Sequence, residues 1–95
     1  MRMVLEDLNI GFVPGLLEAR IGHIRAGAHS GIEPMTHPGE ELVIVTEGKM
    51  VFTIDGDRHE LSAGDSIHFR TRLPHSWANP SEKPARAIWL VVRSS

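Results

Sequence analysis

Glycine and proline punctuation constrains this chain more than any other feature. Nine glycines and six prolines are spread through 95 residues, and no long segment between them keeps apolar residues at helical spacing. What remains are short runs rich in Val, Ile and Phe, side chains suited to a pleated surface. The spacing predicts strands over 16–26, 41–46, 49–54, 58–61, 65–69, 75–78 and 85–93. Asp55-Gly56 marks a tight hairpin, Ala63-Gly64 a second turn, and Asn79-Pro80 and Lys83-Pro84 bracket a loop. Strands recurring about every 8–12 residues with turn residues between them predict an all-β chain, a single small antiparallel β-barrel or sandwich.

At 10.5 kDa there is room for one domain, expected as residues 1–95 with an N-terminal arm or strand over 1–15 and the barrel over 16–93. The net charge of −2 lacks the basic footprint of a nucleic-acid binder. No apolar run approaches the roughly 20 residues that span a bilayer, and the first ten residues carry Glu6 and Asp7 rather than a signal-peptide core. The absence of cysteine excludes disulfides and thiolate chemistry. A cytoplasmic chain that contacts neither membrane nor nucleic acid is expected. Leu42-Val43-Ile44-Val45 and Ile88-Trp89-Leu90-Val91-Val92 do not alternate, so both faces of those strands need cover. The barrel covers the inner face. The outer face calls for a partner, and a homodimer through strand pairing or sheet packing is expected.

Six histidines occur, and position singles out two of them. His37 and Glu41 flank Pro38-Gly39-Glu40, where the chain turns into a strand. Glu41 shares strand parity with Val43 and Val45, so it points inward if they do. A buried carboxylate is costly unless it meets a cation. His75 opens a distant strand and supplies a third donor. Two histidines and one carboxylate leave coordination positions open and suit Fe(II), Mn(II) or Ni(II), with Zn(II) also accommodated. The plain alternative is three polar residues at strand ends.

The stretch from Gly31 to Gly48 resembles the first motif of the cupin family: His37 falls on its second histidine, Glu41 on its glutamate and Gly48 on its closing glycine. Gly64, His75 and Asn79 match the second motif at its spacing. The resemblance covers nearly the whole chain and implies a conserved small β-barrel, the double-stranded β-helix or jelly roll, with His37, Glu41 and His75 as metal ligands. Met35 stands where that family's first metal histidine would be, a soft thioether that favours copper. His29 takes the place of the leading glycine, and Arg70 and Arg72 replace the second motif's proline and glycine.

A closer resemblance, carried by Thr36-His37-Pro38-Gly39-Glu40-Glu41, by Ala63 through Phe69 and by Pro74 through Pro80, is to the C-terminal sensor domains of bacterial helix-turn-helix regulators of the XRE type. It implies a homodimeric domain that binds a small-molecule effector and passes the signal to a DNA-binding domain this chain does not contain. A free-standing metal-dependent enzyme of dioxygenase or isomerase type is the alternative, and a scaffold with an empty barrel a third.

The ligand-binding candidates are Met35, His68, Trp77, Arg70 and Arg72. Arg70 and Arg72 alternate and could hold a carboxylate or phosphate through paired hydrogen bonds, against the reading of a solvated loop. Trp77 stacks on a ligand or fills the core. His68 lines the cavity or is a structural histidine. Trp89 is placed on the outer parity, in a dimer seam or beneath the N-terminal strand. His23, His29 and His59 read as surface residues, and Met50 as core.

Overall fold

Residues 3–7 and 15–93 are described by the computed structural model. Among them stand eight strands and no helix: β1 (Met3–Asp7), β2 (Leu17–Ile24), β3 (Glu40–Glu47), β4 (Lys49–Ile54), β5 (Asp57–Ser62), β6 (Ser66–Arg70), β7 (His75–Ala78) and β8 (Ala85–Val92). The seven expected runs all become strands, with ends moved by a residue or two. The eighth, β1, falls within the expected arm and adds antiparallel to β2. Asp55 and Gly56 take φ values of 50° and 86°, the left-handed pair that matches a tight turn to the twist of its flanking strands.

The strands form two antiparallel sheets, one ordered β1-β2-β8-β3-β6 and the other β5-β4-β7. All-β, barrel-like architecture is therefore the observed fold. Directly paired residues share a face, so register sorts the larger sheet into two surfaces. Ile24, Val43, Val45, Phe69, Ala85, Ala87 and Trp89 turn inward and meet Met50, Phe52, Ile54, Leu61 and Trp77 of the smaller sheet in one buried cluster. Phe52 lies at its centre, its ring 6.3 Å from Phe69 and 5.9 Å from Trp89.

Trp89 corrects the sequence reading. It opposes Val43 and Arg20 in register and is buried on the inner face. The five-residue apolar run around it carries no alternation, so parity was unreadable until pairing fixed it. Gly22 makes the room: a Cβ there would stand 2.9 Å from the Trp89 ring and 2.8 Å from Met3 Sδ.

β2 runs its alternation the opposite way from a simple core strand. Leu17, Ala19 and Ile21 pair with Val92, Leu90 and Ile88 on the outer face, whereas Glu18 and Arg20 pair with Val91 and Trp89 on the inner one. Leu42 and Ile44 extend that outer apolar surface across β3. Leu17 is 57% exposed and Val92 37%, and the three-stranded sheet covers only the opposite face. Among the described residues no helix is long and apolar enough to cross a membrane.

Candidate metal and ligand site

The segment before β3 runs alongside the start of β7, and backbone pairing brings His37 and His75 together. Met35 and His75 exchange both backbone hydrogen bonds, at 2.8 and 3.0 Å. The His37 amide donates to the Thr71 carbonyl at 2.9 Å, and the Thr71 amide donates to Gly39 at 3.0 Å. Gly39 has φ 122°, and a Cβ there would sit 2.1 Å from the Val92 carbonyl oxygen. Only glycine lets the chain pass β8 this closely while turning from His37 to Glu41. The two imidazole rings end 5.1 Å apart, edge to face.

Glu41 reaches the same point from inside the larger sheet. One ligand atom from each of His37, Glu41 and His75 lies within 4.8 Å of the others. His75 is 2% exposed, and its Nδ1 hydrogen-bonds the Leu73 carbonyl at 2.8 Å. A carbonyl can only accept, so Nδ1 carries the proton and Nε2 presents a lone pair. That Nε2 is buried and has no hydrogen-bond partner. Buried polar atoms rarely go unmatched, and a lone pair aimed at a second imidazole and a carboxylate fits a bound cation. The Leu73 carbonyl then acts as the outer contact that orients a ligating histidine.

Trp89 completes the cluster. Its indole N–H donates to Glu41 Oε1 at 2.5 Å, leaving the other carboxylate oxygen for the histidines. Burial pushes the Glu41 carboxyl above the usual carboxylate value, against the Trp89 hydrogen bond and the nearby His75 and His37, which pull it down. A divalent ion would supply the missing positive charge, and the donor set of two imidazoles and a carboxylate suits a borderline or hard transition metal.

These groups floor a cavity of about 180 Å³. Its walls include Met35, Trp77, Trp89 and Val91, with Met3 and Leu5 from β1 and Glu18 and Arg20 from β2. Of the expected ligand-binding residues, Met35 and Trp77 therefore face this space. The others do not. On β6 the inward positions are Ile67 and Phe69, so His68 points outward and hydrogen-bonds Glu40 at 2.9 Å. Arg70 and Arg72 border a separate surface groove with Gly39, Glu40 and Val92. His29 and His59 are exposed, and half-buried His23 bonds Glu6 at 2.8 Å.

Sequence reasoning missed Trp89, Glu18 and Arg20. For Trp89 no signal existed. Glu18 and Arg20 do alternate with Leu17, Ala19 and Ile21, but the ordinary reading sends the charged face to solvent.

Residues 21–91 match the family model described as the cupin domain. The HTH-type transcriptional regulator PuuR of Escherichia coli (strain K12) is 43% identical over 56 residues, which make up 59% of this chain and 30% of the regulator. The match thus spans under a third of that protein's length. The cupin domain of an XRE family transcriptional regulator from Enterobacter cloacae superposes with a TM-score of 0.84 at 24% identity, over 98% of both chains. A cupin-superfamily sugar phosphate isomerase from Silicibacter pomeroyi gives 0.79 at 23% identity, over 95% of this chain and 59% of that one. At such identities these two likenesses show the fold.

Proposed function

The chain belongs to the cupin domain family, and we propose that it is the small-molecule-sensing part of a transcriptional regulator, working as a homodimer with a divalent metal on the cavity floor. One observation carries the ligand-binding role: the unpartnered, buried Nε2 of His75 faces Glu41 and His37 at the base of an apolar cavity. The likeness to PuuR supports the regulatory setting.

His37, Glu41 and His75 would hold the metal, with Met35 on the adjoining wall. A bound divalent ion supplies a Lewis-acidic contact for an oxygen or nitrogen of the effector. The chain's own residues do the rest. Trp89 fixes the Glu41 carboxylate, Leu73 fixes the His75 ring, and Trp77, Val91 and Met35 give the effector an apolar wall.

β8 links this cavity to the outer surface. Trp89 and Val91 line the inner space, while Ile88 and Leu90, which alternate with them, belong to the outer apolar face. In this reading a second copy packs on that face, a role supported by the outward apolar residues of β2, β3 and β8. Occupancy of the cavity then biases strand position at the dimer seam. An effector shifts the pair only by its differential affinity for the two arrangements, and the readout is the spacing of attached DNA-reading domains.

The test is elemental analysis of protein purified without chelator, beside a His37→Ala/His75→Ala variant. Near-stoichiometric metal in the wild type that vanishes in the variant supports the centre; metal-free folded protein removes the metal from this reading. A second reading is a metal-dependent isomerase or dioxygenase. It draws on the open positions of a two-histidine, one-carboxylate set and on the isomerase among the structural neighbours. Turnover of a sugar phosphate, or dioxygen uptake, by the metal-loaded protein would favour it.

A further inference from the structure

The cavity mouth carries charge where a core strand carries none. Glu18 and Arg20 sit on the inner face of β2 beside apolar Val91 and Trp89, while Leu17, Ala19 and Ile21 face out. The opposite register would bury Leu17, Ala19 and Ile21 but turn Ile24 out of the core and Gly22 away from Trp89, so the register that the core selects leaves Glu18 and Arg20 facing the cavity.

Taking the cavity as the ligand pocket proposed above, we infer that its ligand is a small organic carboxylate anchored on Arg20. Among the described lining residues, Arg20 is the one lysine or arginine. Its guanidinium has five N–H donors, of which Nε meets Asp7 at 3.2 Å and Nη2 meets Glu18 at 3.3 Å. The remaining donors are available to a second acceptor. The Asp7 side chain is 76% exposed, and an ion pair that wet is weak and readily exchanged. Glu18 is held more closely from the other side, at 2.7 Å by Arg93. Glu18 is thus shared between Arg93 and Arg20, and Arg20, which lines the cavity, has N–H donors beyond those that meet its two carboxylate partners.

Geometry sets the size. Glu41 on β3 lies two strands from β2, about 10 Å at the usual strand spacing. A volume near 180 Å³ holds roughly six water-sized groups at ~30 Å³ each. A carboxylate on a short carbon chain fits that length and volume. Its head meets Arg20, its body lies on Trp89, Val91 and Leu5, and its far end reaches the His37–Glu41–His75 floor.

The experiment titrates full-length protein with hexanoate, hexylamine and hexan-1-ol, read by emission of Trp77 and Trp89 and by calorimetry, with metal content measured in the same samples. Hexanoate should bind about tenfold or more tightly than either analogue. Arg20→Gln should remove that preference and Arg20→Lys restore part of it. Arg72→Ala, in the separate groove, should leave it intact. Asp7→Asn, which releases an Arg20 donor, should tighten hexanoate, and this variant serves if Arg20→Gln fails to fold. Hexylamine binding as well as hexanoate, no response to any of the three, or an unchanged preference in Arg20→Gln overturns the proposal. Metal that stays bound while the preference is absent removes the carboxylate anchor and leaves the metal centre. A preference that persists in metal-free protein does the reverse.

Discussion

Single atoms decide the chemistry of this site. Met35 lies on the cavity wall and exchanges backbone hydrogen bonds with His75, so an imidazole at that position adds a fourth nitrogen or oxygen donor. Met35→His should tighten metal by about tenfold or more, checked by competition with a chromogenic chelator; one added ligand contributing ~1.4 kcal/mol is enough. Glu41 gives a pH prediction. Burial, opposed by the Trp89 hydrogen bond and the neighbouring histidines, raises its carboxyl above the ordinary value of 4.5. The folded state therefore holds the proton more tightly than the unfolded chain. The stability this contributes is fully present below pH 4.5 and is lost as pH rises through the raised value. In chelator-treated protein, Glu41→Gln should melt higher than wild type at neutral pH, and the gap should close toward pH 4.5. The same variant should lose metal. Equal melting temperatures across that range would show that the buried carboxylate carries no cost.

At the scale of the elements, the site depends on a glycine that lies outside it. Gly22 on β2 leaves space for the Trp89 ring, and Trp89 in turn positions Glu41. Gly22→Val should cost about 1–3 kcal/mol as an overpacked core position. It should also weaken metal more than a destabilised variant with an intact Trp89 contact, such as Ile54→Val. Parallel chemical denaturation and metal titration would separate the two effects. Loss of stability with unchanged metal affinity would mean that Trp89 finds another route to Glu41. The hairpin at Asp55-Gly56 belongs to this scale as well. Its left-handed pair was readable from two letters, because turn chemistry is local.

For the whole molecule, the outer face of the larger sheet is where the proposed assembly is tested. Leu17, Val92, Leu90, Ile88, Leu42 and Ile44 share that surface, and covering it in the proposed dimer would add to the stability margin of a chain this small. Leu90→Glu, which points away from the cavity, should turn a dimer into a monomer in sedimentation velocity while leaving metal content unchanged. A wild type that sediments as a monomer would remove the dimer from the proposed mechanism and leave the pocket standing.

By itself the sequence determined the secondary structure and much of the site. Gly and Pro end strands through backbone geometry alone, and period-two patterning placed Glu41 with Val43 and Val45 without reference to any other strand. His37, Glu41 and His75 were legible because motif spacing in a resembling family stood in for three-dimensional proximity. What only the tertiary structure decided is where unalternated or inverted strands point. The apolar run of β8 looks the same whichever way Trp89 faces, and His68 and Arg70 could be assigned to the cavity until pairing of β6 with β3 sent them elsewhere, with Arg72 beside Arg70 in the separate groove. Glu18 and Arg20 followed the usual outward rule until the register of β2 against β8 turned them in. A one-residue change of register moves every side chain to the other face. Register is set by pairing between segments distant in sequence, and no window along the chain contains it.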